Sequence, residues 1–448
     1  MKCDLILSNV RAYVKNEIVD CSIALEGDKI VRIGKESQMP KAEMKMDLNG
    51  LLVLPGLIDV HVHLRDEGKA YKEDFYSGTA AAATGGITTV LDMPNNEPVT
   101  MSAAALKNRM EKARDSILVN VGFYSEFPKC LDEIREIADA GAVAFKLFMI
   151  EQVGGLNIGD DASLAEAFRI LGRMGMLVAV HAENGAMVKA VEQKLKSSKR
   201  NDVEAFLEVH SENAEQNAIK RLLNIVRRVR NRIHICHVST RAGLKAIREG
   251  KRHMLPVTCE VTPHHLLLSD EALKRIGAIA LTVPPVREKV HAEALWMGIK
   301  DGTVDVVASD HAPHTLAEKM ADVVWNVKTG VVGLETMLPL LLTEVNRGTL
   351  ALQDVVRVMA ENPAKIFGLK GRGFLGEGNS ADLTVIDLKR EGKIDASRFH
   401  SKAKFSPFDG WRFKGKPVKT FVNGKLVMDD GEIVGSAGSG RVLRRELP

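Results

Sequence analysis

LIDVHVH (57–63) sets two histidines, His61 and His63, two residues apart inside an apolar run that follows Pro55-Gly56. A strand sends residues i and i+2 to the same face, so the two imidazoles project side by side from an otherwise apolar segment. Seven more runs of this kind follow. They are TTVLDM (88–93), LVNVGFY (118–124), AFKLFM (144–149), MLVAVHAE (176–183), RIHICHVS (232–239), VTCEVTPHH (257–265) and DVVASDHAP (305–313). Helical stretches separate them. In SLAEAFRILGRMG, Leu164, Ala167, Phe168 and Leu171 recur at helical spacing. Eight strand–helix units over residues 55–368 predict an α/β fold, a (β/α)8 TIM-like barrel, whose strands are near-continuous apolar runs because both faces are buried. An open doubly wound sheet would carry GxGxxG after its first strand, and none stands there.

The two ends read differently. Residues 1–54 are short alternating runs broken by turns, DLILSNVRAYV, IVDCSIALEGDKIVRIG and LNGLLVLPG. Residues 369–448 resume that style with ADLTVIDL and VKTFVNGKLVMDDGEIV, in which Asn423-Gly424 and Asp430-Gly431 are hairpin dipeptides. A small β-sandwich built from both termini, flanking the barrel, is the expected organisation.

Composition narrows the class. The 448 residues are 45% hydrophobic and 27% charged, and 62 Lys and Arg against 58 Asp and Glu leave a net charge of +4. That balance excludes a general nucleic-acid binder, and the short basic run RRVRNR from Arg227 suits a solvated helix face. No apolar stretch is long enough to span a membrane, and MKCDLILSNV is interrupted by Asp4 and Asn9 where a signal-peptide core would lie. Five scattered cysteines (Cys3, Cys21, Cys130, Cys236, Cys259) form no CxxC pair, which fits a reducing cytoplasm rather than a disulfide framework.

Polar residues collect where a parallel barrel does its chemistry, at the carboxyl ends of the strands. The first strand ends in His61 and His63, the fourth carries Lys146, the fifth ends in His181, the sixth in Cys236-His237 and the eighth in Asp310. One histidine on an apolar strand is more often a satisfied core residue. Four imidazoles and a carboxylate buried together would be costly without a shared partner, and a metal centre satisfies them at once. Imidazole and carboxylate ligands suit zinc, with manganese, cobalt or iron as alternatives, and six ligands suit two ions. Lys146 reads either as a structural ion pair or, if its amine is neutral, as a carbamate that bridges two metals.

These residues lie in recognisable motifs. DVHVHLRD (59–66), DMPNNEPVT (92–100), FKLFM (145–149), VHAEN (180–184), ICHVS (235–239), TPHHL (262–266), ASDHAPH (308–314), NPAKIFGL (362–369) and SPFDGWRFKGKPVKTFVNGKLV (406–427) resemble the cyclic-amidohydrolase branch of the amidohydrolase superfamily, and within it the dihydroorotase family. The resemblance covers nearly the whole chain. It implies two Zn2+ per chain, one held by His61, His63 and Asp310 and one by His181 and His237, bridged by N6-carboxylysine at Lys146. It further implies reversible hydrolysis of dihydroorotate to N-carbamoyl-aspartate in pyrimidine biosynthesis by a metal-held hydroxide, with Asp310 as proton shuttle. Arg65, Asn95 and His314 match the family's substrate-carboxylate pocket, and Arg65 in particular separates this family from allantoinases and from hydantoinases or dihydropyrimidinases. Two positions bear on this match. Lysine at 146 is shared with those neutral-ring enzymes, and Val283 stands where dihydroorotases often place an asparagine. The segment 315–335 is expected to lie over the site, with Gly330 and Gly333 as backbone contacts, and His264 and His265 are expected to be structural. A non-catalytic scaffold, the alternative from another class, would have lost ligands, and all six positions are filled. The implied partner is a small-molecule substrate, without nucleic acid or membrane, and a homodimer or association with another pyrimidine-pathway enzyme is left open.

Overall fold

The computed structural model describes residues 2–445. Each of the eight apolar runs contains a strand: β1 (Leu57–Val62), β2 (Ile87–Asp92), β3 (Asn120–Glu126), β4 (Ala144–Phe148), β5 (Val178–His181), β6 (Ile233–Ile235), β7 (Val257–Val261) and β8 (Val306–Val307). Each pairs in parallel with its neighbours in chain order. The ring is drawn shut between the last strand and the first, where Val62 bridges His311 and the His63 amide donates to the His311 carbonyl at 2.8 Å. The intervening helices bury one face each. The helix Asp161–Arg173 buries Leu164, Ala167, Phe168 and Leu171, the four residues picked out by helical spacing.

Of the strands that stop earlier than their apolar runs, two show a local reason. After Val261, the Thr262 side chain accepts the His265 amide and Pro263 occupies the first turn, so the chain enters the helix Pro263–Leu267. His264 and His265 therefore sit in a helical turn, not on β7. Beyond β8, Asp310 takes a φ of +46°, which turns the chain out of the ladder.

The termini build a second sheet. Lys2–Val14, Glu17–Glu26, Lys29–Gly34, Lys41–Asp47 and Leu52–Pro55 join Leu383–Lys393, Arg412–Val422, Lys425–Asp429 and Glu432–Ile433 in one nine-stranded mixed sheet. The seam between the two halves is antiparallel pairing of Leu52–Pro55 with Leu383–Ile386. Leu7, Val10, Ile23, Val53, Leu383, Val385 and Phe421 form its core. Both hairpin dipeptides lie at turns: Asn423 and Gly424 have φ of +50° and +81°, Asp430 and Gly431 +44° and +97°. Past that sheet the chain returns to the barrel, and Val442–Leu443 pairs in parallel with β3 at Val121 and Gly122. No helix among the described residues is long and apolar enough to cross a membrane.

One buried charge pair positions the turn after β1. Arg109, on the helix Ala103–Arg114, lies beneath the rings of Phe75 and Phe123, its Nε 2.9 Å from Asp92 Oδ2 and its Nη1 2.7 Å from the Asp66 carbonyl. Asp92 Oδ1 in turn accepts the Leu64 amide at 2.8 Å. The segment 64–66, which carries Arg65, is thus tied to β2 from below. Arg109→Met should leave Asp92 buried without its counter-charge and cost about 3–5 kcal/mol of stability. Urea denaturation of the variant measures this, and a parental midpoint would show that the pair does not brace the turn.

Candidate functional site

The mouth of the barrel gathers the residues singled out in the sequence. His61, His63, Lys146, His181, His237 and Asp310 are all buried there and line one cavity of about 410 Å³. The Nε2 atoms of His61 and His63 lie 3.3 and 3.2 Å from Asp310 Oδ1. Nearby, His181 Nδ1 lies 3.0 Å from His237 Nε2.

The far nitrogens explain this convergence. His61 Nδ1 is held by Glu260, His63 Nδ1 lies 2.7 Å from Asn95 Oδ1, and His181 Nε2 lies 2.9 Å from Glu183 Oε2. Each partner can accept a hydrogen bond, so the far nitrogen of each ring is anchored away from the cavity and the near nitrogen is presented to it. Burial opposes charge on Glu260, but His61 and His234 around it hold its carboxyl well below the usual range. His61, His63 and Asp310 each bring a ligand atom within 4.8 Å of the others, a group that could hold a cation. The donor set of imidazole and carboxylate fits a divalent ion, and the His181–His237 pair fits a second.

Lys146 is fully buried, with Nζ 3.1 Å from Cys236 Sγ and 5.0 Å from the centroid of the Phe148 ring. No carboxylate pairs with it among the described residues, so the structural ion pair lacks its acid. Three site residues, Arg65, His237 and Asp310, have φ of +62°, +34° and +46°. Non-glycine residues in that region carry backbone strain, which the surrounding hydrogen bonds must hold.

Arg65 lines the cavity and is buried, its Nε donating to the Pro313 carbonyl at 3.2 Å. Burial pushes its pKa down to about 10, against the pull of Asp310 and Asp92, so the guanidinium stays charged at neutral pH. Asn95 lines the cavity as well as holding His63. His314 is placed differently. It sits behind Arg65, 3.2 Å from Nη2, and is not part of the cavity wall. Burial, with Arg65 and Lys72 beside it, pushes its pKa down to about 2. The neutral ring donates from Nε2 to the Thr329 carbonyl at 3.1 Å and accepts at Nδ1 from Lys72 at 3.1 Å.

The rest of the wall is largely apolar, with Phe148, Ile150, Val188, Phe206 and Val283 facing the cavity. The segment 315–335 adds Val324, Trp325, Val327, Thr329 and Gly330. Gly333 does not join them: its amide donates to His311 Nδ1 at 3.3 Å, and a Cβ there would lie 2.9 Å from that of Ser309. Holding this wall is Lys319, whose buried Nζ donates to the carbonyls of Leu281 (3.1 Å) and Gly330 (2.9 Å).

Sequence reasoning passed over Glu183, Glu260, His210 and Lys319. Glu260 carried a signal, being a charge inside the apolar run VTCEV, and Glu183 lies two residues beyond His181 on the same strand line. His210 and Lys319 fall in loops and short helices, where no periodicity distinguishes them.

Burial pushes the Lys319 pKa down from 10.5 to about 7. Between those values the unfolded chain binds a proton that the folded protein does not, so this group makes stability rise with pH across that window, and its penalty is fully present below it. The stability of the parent relative to Lys319→Met should therefore increase as the pH is raised from neutrality toward 10.5 in parallel urea titrations. A difference that stays flat would show that the ammonium is not desolvated.

Comparison with known proteins agrees with this architecture. The sequence profile of the amidohydrolase family matches residues 52–427. A dihydroorotase of Methanosarcina acetivorans is 37% identical over 98% of this chain and 95% of its own length. An L-hydantoinase of Paenarthrobacter aurescens is 34% identical over 99% of this chain and 98% of its own. Among solved structures, the L-hydantoinase (dihydropyrimidinase) from Arthrobacter aurescens superposes with a TM-score of 0.95 at 34% identity, covering 99% of this chain and all of that one. With the barrel, the terminal sheet and the strand-end histidines all within the matched span, the chain belongs to the amidohydrolase family.

Proposed function

We propose that the protein is a zinc-dependent dihydroorotase, interconverting N-carbamoyl-L-aspartate and dihydroorotate. The observation that carries this reading is Arg65, a charged guanidinium buried in the wall of the same cavity as the strand-end histidines. A buried guanidinium fork in a substrate cavity is matched by a substrate carboxylate, which dihydroorotate has and neutral cyclic amides lack. Relatives named dihydroorotase, at 37% identity over nearly the full length, support it.

In this reading His61, His63 and Asp310 would hold one zinc ion and His181 and His237 a second, with Lys146, carboxylated on Nζ, as a further ligand. Bound zinc supplies Lewis-acid polarisation of the ring carbonyl and lowers the pKa of water. Hydrolysis adds water across the ring C–N bond: the carbonyl carbon gains an oxygen and becomes a carboxylate, and the released nitrogen gains a proton to become the ureido NH2. Asp310 accepts the proton of the attacking water and delivers it to that nitrogen, and ring closure runs the same transfers in reverse. Arg65 holds the carboxylate that takes no part in the reaction. Asn95 anchors the His63 ring at Nδ1, and His314 pins the Thr329 carbonyl beside Arg65.

A second reading, a hydantoinase, is favoured by the apolar wall of Phe148, Ile150, Val188, Phe206, Val283, Val324, Trp325 and Val327, which has room for an apolar ring substituent. The likeness to the L-hydantoinase structure points the same way.

Zinc-supplemented protein should hydrolyse dihydroorotate in preference to allantoin, dihydrouracil and a 5-substituted hydantoin. Preferred turnover of a neutral ring would overturn the carboxylate clamp. Arg65→Met should lower kcat/KM for dihydroorotate by roughly 100-fold, about 3 kcal/mol, mainly through KM; an unchanged KM would remove Arg65 from substrate binding. Lys146→Ala should be inactive and recover part of its rate with added short carboxylic acids, whereas a fully active variant would contradict the bridging carbamate.

A further inference from the structure

His210 lies in the stretch between the helices Val203–Val209 and Glu212–Val229, and it lines the same cavity as the strand-end histidines. The residue is fixed by three contacts. Nδ1 lies 3.0 Å from Glu183 Oε1, the other oxygen of the carboxylate that holds His181. The Phe206 ring packs against it at 4.6 Å between centroids, and its backbone carbonyl accepts from Arg287. Nε2 makes no hydrogen bond among the described residues. With Nδ1 turned to Glu183, Nε2 is the ring's polar atom left without a protein partner.

The other side-chain acceptors of the cavity are mostly engaged. Asn95 Oδ1 is taken by His63, and Asp310 Oδ1 lies among the His61 and His63 nitrogens. Behind the wall, the Thr329 and Gly330 carbonyls are taken by His314 and Lys319. Glu151 and Glu192 stand at the rim, more open to solvent and facing Lys189 and Lys196. A cyclic amide or ureide carries N–H groups that lose water when they enter such a cavity, and an unpaired donor there is costly. His210 Nε2, on a buried ring of the cavity wall outside the strand-end cluster, has no such partner among the described residues and can receive one.

We propose that His210 is a substrate-contacting, specificity-determining residue, whose Nε2 accepts a hydrogen bond from an N–H of the substrate's amide or ureide unit. The inference rests on the cyclic-amide reading of the site, and it adds an acceptor on the His181 side to the carboxylate clamp at Arg65. Through Glu183 the same ring also braces His181, so the two roles must be separated by experiment.

Two substitutions separate them. His210→Asn places an amide nitrogen where Nδ1 stands and keeps the donation to Glu183 but removes Nε2. His210→Gln restores a polar atom at the reach of Nε2. Steady-state hydrolysis of dihydroorotate and metal analysis are run on the parent and both variants. The expected result is full metal content in all three, a KM raised about tenfold in His210→Asn with kcat within about threefold of the parent, and partial recovery of KM in His210→Gln. A parental KM in His210→Asn overturns the contact. So does a loss of metal and kcat at unchanged KM, which would leave His210 only a brace for Glu183. If the parent hydrolyses a 5-substituted hydantoin and not dihydroorotate, the carboxylate reading fails while the His210 comparison is made on the hydantoin, which also presents ring N–H groups. A parent that hydrolyses neither overturns both.

Discussion

The near nitrogens of His61 and His63 face the carboxylate of Asp310, and those of His181 and His237 face each other, in a part of the barrel that excludes most water. Gathering four imidazoles and a carboxylate in a buried space is costly without a shared partner, and the surrounding structure holds them together there. Glu260, Asn95 and Glu183 anchor the far nitrogens of three rings on the side away from the cavity. Left-handed backbone at His237 and Asp310 carries the side chains inward where an ordinary strand would continue past the ladder.

A layered support stands behind this centre. Arg109 and Asp92 brace the turn that carries Arg65, while Lys72, His314 and Lys319 brace the wall formed by Thr329 and Gly330. Most of these braces are charged or polar groups that are themselves buried, and they are costly to bury. They are better suited to fixing direction than to adding stability, because a hydrogen bond constrains angle as well as distance where apolar contact does not. The barrel and the terminal sheet share this logic on a larger scale. The chain leaves the sheet and returns to pair Val442–Leu443 with β3, covering an edge that β4 leaves open at Val121 and Gly122.

Much of the architecture was legible in the sequence. The eight apolar runs correspond to the eight barrel strands because a strand buried on both faces needs continuous apolar residues, a local property. Asn423-Gly424 and Asp430-Gly431 marked their turns for a similarly local reason, the low cost of positive φ at those residue types. The strand Lys41–Asp47 alternates in sequence, KAEMKMD, but it is short of buried residues, with Met44 exposed, so it is held by parallel pairing with Lys2–Ser8 rather than by a buried face. The early end of β7 could have been read from Thr262-Pro263, a cap followed by a residue suited to a first helical turn.

The sequence by itself determined the barrel class, the strand-end positions of the histidines, Lys146 and Asp310, and the pairing of His61 with His63 on one face, because periodicity and residue type act over a few residues. Tertiary structure alone decided which nitrogen of each ring faces the cavity, that His314 stands behind Arg65 instead of in the wall, and that His210 enters the cavity at all. Those outcomes depend on contacts between residues far apart in the chain, such as His61 with Glu260, 199 positions away, and Arg65 with His314, 249 positions away. A hydrogen bond across such a separation is specified by how strands and loops are brought together in space, and no local pattern encodes it.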